Sequence, residues 1–401
     1  MELAIIGGGA SGLMATVTAA EGGHTVTLLE RQARVGRKLL STGNGRCNLS
    51  NIRLSLENYH GTDPAFARPA LEAFPPAAAL AFFRSLGLLT VTESSGRVYP
   101  FSDQAGSVVD VLRFAAEARG VRMCTGTEVS AIERRGGRFH LLLPGGERLT
   151  AERVIVCCGG LAGGKLGGSQ SGYTLLAALG HRRTRLCPAL VQLKTDTAYV
   201  RALKGVRADA RVRLEECGAP LAESAGEVQF TEYGLSGPAV FEVSRAAASA
   251  AGAVTARLNL LRDMPQGELI AALEARVRDF PALTLENLLT GLLHNRLGRT
   301  VLRYAGYALN DPVSALRTAD CRRIAAAIQE FTLTVTGTQG FDAAQVTAGG
   351  ISTAEFDPMT LQSRLTPGAY AAGEVLDIDG DCGGYNLQWA WASGRLAGRL
   401  L

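Results

Sequence analysis

Four apolar residues, Leu3 to Ile6, run straight into three consecutive glycines. Small residues suited to a helix follow from Ala15 to Ala20, and a β-rich stretch from Thr25 to Leu29. This pattern predicts strand, glycine turn, helix, strand, the helix being narrow enough to lie close on a sheet. A second apolar run, "RVIVCCGG" from Arg153, also breaks in glycines and predicts a strand returning to the same sheet. Further on, "VQLKTD", "RADARVRLEE", "GEVQFTEYG" and "AVTARLNLL" alternate or are β-rich, which predicts a small barrel or sandwich. Apolar residues then recur every three or four positions in "GELIAALEARVRDF", "LENLLTGLLHNRLGRTVLRYAG" and "ADCRRIAAAIQEF", predicting helices over 265–330. "FTLTVTGTQGF" returns to strand. Near the end, Ala369 to Ala372 predict a short strand, Asp377 to Gly384 an acidic glycine-rich loop, and Tyr385 to Leu400 a packed helix.

At 401 residues the chain exceeds one ordinary core, so several structural units are expected. Basic and acidic residues number 41 and 37, with no Lys/Arg block or aromatic-basic stripe, so a nucleic-acid partner is not expected. The eight cysteines form no CxxC pair or regular framework, which predicts reduced thiols and a cytoplasmic protein. No metal site is expected, because the five histidines lie apart from one another and from Cys at ligand spacing. The apolar start lacks a basic leader and is broken by glycines, and no other stretch approaches a membrane span; a soluble chain is expected. Oligomeric state is not legible.

The first thirty residues carry the clearest chemistry. Gly7, Gly9 and Gly12 have GxGxxG spacing between a strand and a helix, and Glu30 ends the second strand eighteen residues after Gly12. The first glycine allows a tight turn, the second a close approach by a pyrophosphate, the third contact between helix and strand. The acid suits ribose hydroxyls. Gly159 to Lys165 imitates a phosphate-binding P-loop, but Leu166 stands where a hydroxyl should follow the lysine. The strand-end reading is preferred there, with Cys157 and Cys158 as buried residues. Asp377, Asp379 and Asp381 alternate like the start of a calcium loop whose Gly and Glu are missing. His181 and His294 fall at a helix end and in a helix, neither with a partner that would make it a base.

One stretch, "GRKLLSTGNGRCNLSN" from Gly36 to Asn51, fits neither a turn, a helix interior nor a core strand. Arg37, Lys38 and Arg46 can meet phosphate or flavin oxygens, and Gly43 and Gly45 permit close approach. Together with "GGGASGLMA" and "AGEVLDIDGDCGGYNLQWAWASG", this ribbon resembles the BaiN/RdsA family of bacterial flavoproteins, which includes enzymes described as aminoacetone oxidases. "GEVQFTEYGLSGPAVFEVSR", "LKGVRADARV" and "VTAGGIST" extend the likeness through the chain.

The resemblance implies an α/β fold: a Rossmann-type, two-dinucleotide-binding FAD domain interrupted by an insertion with a small β-barrel or sandwich and a helical subdomain. The FAD domain would comprise residues 1–190 and 342–401, the barrel 191–264 and 331–341, and the helical subdomain 265–330. FAD is the implied cofactor, with NADH or NADPH as transient electron donor. Ala10, Ser11 and Gly12 would meet the pyrophosphate with Gly7 and Gly9, and Glu30 the ribose, with Arg31 and Lys38 nearby. Gly45, Arg46, Cys47 and Asn48 would line the flavin, Val129 would contact adenine, and Gly159 would stand at the strand end. Gly373, Glu374, Asp381, Asn386 and Leu387 would hold the ribityl chain and pyrimidine. Residues 161–171 depart from the family's pattern.

The implied activity is NAD(P)H-driven reduction of a small unsaturated, enone-type molecule of steroid or bile-acid kind. An amine oxidase producing H2O2 and a non-enzymatic flavoprotein are the alternatives. Cys47 and Cys382 form either a redox pair or two small residues packed beside the cofactor, and Tyr385 is either a proton donor or packing. No catalytic residue is fixed by sequence.

Overall fold

The computed structural model describes residues 1–401, which divide into two compact units: Met1–Cys187 with Gln345–Leu401, and Pro188–Ala344.

The first unit is built on a five-stranded parallel sheet. β1 (Glu2–Ile6) leads through the glycine turn into α1 (Ala10–Glu21) and on to β2 (Thr25–Leu29). β3 (Arg122–Cys124), β4 (Arg153–Val156) and β5 (Ala369–Ala371) complete it, in the order β5-β4-β1-β2-β3. Ile5 of β1 lies beside Ile155 on one side and Leu28 on the other. A central parallel strand is covered on both faces, hence its unbroken apolar run. Strand order reverses beside β1, and the crevice at the carboxyl ends of strands there is where such sheets take ligands.

The last helix, α2 (Tyr385–Gly398), packs on α1 through small residues. A Cβ on Gly394 would overlap the carbonyl oxygen of Ser11, and one on Gly398 would lie 2.7 Å from that of Ala15. Only glycine lets the two backbones approach this closely. Both tryptophans of α2 are buried and donate to main-chain oxygens, Trp389 to Gly373 and Trp391 to Leu49.

Residues 181–185 and 349–363 of this unit are joined by a buried polar network. His181 Nδ1 lies 3.0 Å from Glu355 Oε2, and Ser363 Oγ lies 2.9 Å from His181 Nε2. Ser363 Oγ also accepts the N–H groups of Leu365 and Thr366. Glu355 takes the main-chain N–H and the Nε of Arg182, and Phe356 stacks on the imidazole. The expectation that His181 lacks a partner is therefore corrected. Its partners come from residues more than 170 positions away, brought together by folding.

The second unit is a closed six-stranded barrel. Around it run Leu193–Thr195, Gly234–Ser236, Ala219–Phe230, Arg207–Glu216, Val254–Asn259 and Phe331–Thr338. Every neighbouring pair is antiparallel. The helices Gln266–Asp279, Asn295–Tyr304 and Thr318–Gln329 share the barrel's core: Leu269, Leu273, Val301 and Ile324 belong to one buried cluster with Val212, Phe230 and Phe331. They form no separate core of their own. The long helical pattern over 285–306 is also interrupted: Gly291 has φ +87°, and the helix begins only after His294, whose Nδ1 accepts the N–H of Arg296 as an N-cap. No helix of either unit is long and apolar enough to cross a membrane.

Candidate functional site

The glycine turn does three different jobs. Gly7, at φ +103°, would bring a Cβ to 2.5 Å from the carbonyl oxygen of Cys157. A Cβ on Gly12 would overlap the carbonyl oxygen of Gly7. Both positions are closed by packing. Around the Cβ position of Gly9, in contrast, nothing lies within 4 Å. No side chain caps α1 at Gly9 and no acid stands in its first turn, so the N–H groups of Ala10, Ser11 and Gly12 face an open cradle suited to phosphate.

Glu30 sits at the edge of that cradle. Its Oε2 accepts the Gly8 N–H at 2.6 Å and its Oε1 that of Gln32 at 2.7 Å. Main-chain bonds from Glu30 to Cys124 and from Thr127 to Glu30 carry the chain to Val129, which is buried. Arg31 donates to the carbonyls of Gly167 and Gly168, tying the end of β2 to the glycine loop after β4.

The ribbon is pinned against α2 and the loop before it. Ser50 Oγ donates to Gln388 and Asn51 Nδ2 to the Gly383 carbonyl. Gly43, Asn44, Gly45 and Cys47 all have positive φ, so after a 3-10 stretch from Leu39 the ribbon turns on itself, and no continuous strand or α-helix runs through it; only Ser50–Asn51 at its end pair as a strand, with Arg97 and Val98. Lys38 pairs with Glu374 Oε2 at 2.7 Å, while Glu374 Oε1 accepts the Thr347 N–H at 2.8 Å. Glu374 thus gathers the ribbon, residue 347 and the end of β5, with Gly159 (φ +70°) just beyond its Oε2. Gly45 has open space at its Cβ position, and the buried Asn48 Oδ1 has no hydrogen-bond partner.

Two ribbon residues are held by the protein itself. Arg46, expected to meet phosphate or flavin oxygens, is held by acids of its own chain: Nε lies 2.5 Å from Asp103 and Nη2 3.2 Å from Glu93, over the ring of Tyr99. Cys47 is fully buried, and burial pushes its thiol up to about 12 despite a hydrogen bond to Thr42. No disulfide joins it to Cys382. A thiol kept protonated is a poor redox nucleophile, so small-residue packing is the reading the structure favours for Cys47.

The acidic loop is held from within. Gly373 lies against Ser11, whose Oγ donates to Ala372 at 3.3 Å. Asn386 bonds both the N–H and the carbonyl of Gly380, as well as the Asp381 carbonyl, at the start of α2. Leu387 is half-buried on the core. The Tyr385 carbonyl accepts the Tyr59 hydroxyl, whose burial holds it well above the usual tyrosine range.

Sequence reasoning missed the segment 58–62. Tyr59–His60 pairs antiparallel with Asp379–Gly380, His60 Nε2 lies 2.6 Å from Asp381 Oδ1, and Asn58 donates to Asp381 Oδ2. Thr62 binds Asp377 through N–H and hydroxyl. Two of the three aspartates that alternate like a calcium loop, Asp377 and Asp381, are engaged in this way. "ENYHG" has no periodicity or motif that could have announced the role.

Elongated donors, glycine-walled openings and the orphan Asn48 oxygen together suit a flavin dinucleotide. An uncapped helix start suits pyrophosphate, and Asn48 and the Gly45 opening suit a flat polar ring.

Comparison with known proteins agrees. A family model described as HI0933-like protein Rossmann domain matches residues 1–400. A 3-dehydro-bile acid delta(4,6)-reductase of Clostridium scindens is 42% identical over 403 residues, covering 99% of this chain and 98% of that one. A ribosomal RNA dihydrouridine synthase of Escherichia coli K12 is 30% identical over 393 residues, covering 97% and 95%. In structure, 3-ketosteroid delta1-dehydrogenase from Sterolibacterium denitrificans matches with a TM-score of 0.51 at 12% identity, covering 99% and 98%, a likeness of fold. With the family model spanning all but the last residue, this chain belongs to the HI0933-like family of FAD-dependent flavoproteins, and it is an oxidoreductase.

Proposed function

We propose that this FAD-dependent oxidoreductase takes hydride from NADH or NADPH and reduces a carbon–carbon double bond conjugated to a carbonyl in a steroid-like or bile-acid-like small molecule. The observation that carries this reading is the end-to-end likeness, at 42% identity, to a protein named for reducing such a bond. FAD, when bound, supplies the hydride chemistry.

The chain's own residues supply binding and orientation. The first turn of α1 would receive the pyrophosphate on the N–H groups of Ala10, Ser11 and Gly12, with Glu30 beside the ribose and Val129 near the adenine. Lys38 and Glu374 neutralise each other in a pair about a quarter exposed, which fixes the ribbon without leaving a net charge beside the ring. Asn48 would offer its unpartnered oxygen to a ring N–H. Gly373 and the Gly384–Leu387 helix start would meet the ring's carbonyl side.

An RNA substrate, suggested by the name of the 30%-identical relative, finds less support. The barrel unit carries as many acidic as basic side chains, whereas RNA binding rests on a basic surface.

The test is an anaerobic titration of the FAD-loaded protein with NADPH and NADH, followed at the flavin's visible band, then addition of a 3-oxo-4-ene bile acid. Bleaching by nicotinamide and recovery on adding the enone are expected. No bleaching, with peroxide formed from amines in air, would replace this reading with the oxidase.

A further inference from the structure

A bile-acid-like molecule is an amphiphile, a rigid hydrocarbon body that ends in a carboxylate. Holding it takes an apolar bed and, at one end, a cation that no acid of the protein has already taken.

The small sheet at the end of the ribbon offers both. Ser50–Asn51 pairs with Arg97–Pro100, which pairs with Thr90–Thr92, all antiparallel. Val91 lies opposite Tyr99, and main-chain bonds from Phe101 to Leu89 and from Glu93 to Arg97 extend that register at both ends. Side chains alternate along a strand, so Arg97, Tyr99 and Phe101 share one face with Leu89, Val91 and Glu93. This face is turned to the ribbon and to the loop before α2. Tyr99 Cε1 lies 3.4 Å from the Cβ position of Gly43, and Arg97 Nε lies 3.6 Å from that of Gly383, with Asn51 Nδ2 and the Tyr385 ring edge beside it.

One end of the face is apolar and open to water. Leu89, Val91 and Phe101 are 55%, 43% and 72% exposed. Three large neighbouring side chains of this kind form a patch, where single exposed apolar residues would need no explanation.

The other end carries an unspent cation. Every other half-buried arginine of the first unit has a partner: Arg46, Arg113, Arg138 and Arg395 meet acids, and Arg31 and Arg153 donate to carbonyls. The Arg97 side chain is half-buried and makes neither an ion pair nor a hydrogen bond, and none of its nitrogens is sealed from solvent. The nearby acids Glu93 and Asp103 are both taken by Arg46. A guanidinium always carries its charge and presents a planar fork that matches a carboxylate. From Arg97 to Phe101 the strand runs about 13 Å, a span that a fused-ring body with a short acidic tail can cover.

We propose that Arg97 anchors the carboxylate of an amphipathic substrate, whose hydrocarbon body lies against Leu89, Val91 and Phe101. The inference rests on the reductase reading above and adds to it a subsite for the substrate's acidic end.

The experiment uses the full-length, FAD-loaded protein and its Arg97→Gln, Arg97→Lys and Phe101→Ser variants. The probes are a saturated 3-oxo bile acid, which has no double bond to reduce, and its uncharged methyl ester. Flavin content and melting temperature are read first and should match wild type, since Arg97 makes no side-chain bond that folding would lose. Calorimetric titration should show the wild type binding the acid at least about tenfold more tightly than the ester, with high salt narrowing the gap. Arg97→Gln should bring the acid down to the level of the ester and leave the ester unchanged, while Arg97→Lys keeps part of the preference. Phe101→Ser should weaken both ligands by a similar factor, about fivefold.

Wild-type protein that binds acid and ester equally, or neither, overturns the proposal. So does an Arg97→Gln variant that weakens both ligands alike or loses flavin, because Arg97 would then only be supporting the ribbon. Unchanged binding of both ligands by Phe101→Ser overturns the apolar bed. If the acid preference holds but no unsaturated bile acid restores the bleached flavin band, the subsite stands and the reductase reading falls, a distinct result.

Discussion

Ser363→Ala should destabilise the first unit by roughly 3 kcal/mol although it removes a single oxygen atom. That oxygen faces three partners: His181 Nε2 at 2.9 Å, the Leu365 N–H at 3.1 Å and the Thr366 N–H at 2.8 Å. Each lost bond is worth about 1 kcal/mol, more where the abandoned group is sealed from water. His181 is sealed in this way, being buried and stacked on Phe356. For a unit of this size the loss corresponds to a melting shift of roughly 6–12 °C, measurable by calorimetry on FAD-free protein at pH 8. Both oxygen lone pairs accept main-chain N–H groups, so the hydroxyl hydrogen goes to Nε2, and His181 is neutral with its own hydrogen on Nδ1 toward Glu355.

Acid should then act in a fixed order. Burial holds His181 below its ordinary 6.5, outweighing the hydrogen bond and charge of Glu355. The unfolded chain takes that proton first, so the contribution is complete above about pH 6.5 and is lost as pH falls below it. Burial alone would raise Glu355. The bonds from Arg182 and His181 outweigh it and hold the carboxyl below 4.5, so its contribution is present above that value and lost as pH falls through the folded-state value. His24, also lowered by burial, titrates in the same upper window. The comparison with His181→Gln isolates the share of His181: the variant should lose part of the slope just below pH 6.5. A Ser363→Ala loss under about 0.5 kcal/mol, or identical slopes in wild type and His181→Gln, would refute the network described here.

The glycine turn and the ribbon give two more expectations. Gly12→Ala must displace the Gly7 carbonyl and should cost at least about 2 kcal/mol. Gly9→Ala meets open space at φ −78° and should leave FAD-free melting unchanged while weakening FAD binding by about tenfold or more, read by fluorescence titration. If Gly9→Ala binds FAD as wild type does, the cradle is not where the phosphates sit. Cys47, its thiol pushed up to about 12, should resist iodoacetamide at pH 8 in the folded protein and react after unfolding, as followed by mass spectrometry.

Several features were legible because they are local. The run Leu3–Ile6 and the three glycines announce a strand, a turn and a helix start within the first residues, and β2 lies where its β-rich stretch predicted. The alternating stretches of the insertion announce barrel strands by the period-two pattern that a one-sided core imposes. The ribbon's composition said what it could not be, and its positive-φ positions give the reason.

What depended on distant residues was not legible. Arg46 carries the charge a phosphate would want, yet Asp103 and Glu93, 57 and 47 positions away, take its guanidinium. The helices of 265–330 have the spacing of a separate bundle, but their apolar faces close over the barrel's core. His181 gained its acid and its hydroxyl, and His60 its aspartate, from segments 174, 182 and 321 residues away. Periodicity and turn chemistry act over a few residues and can be read from the chain. A side chain's electrostatic partner is set by which segments the fold brings within 3 Å, and that is decided by tertiary structure alone.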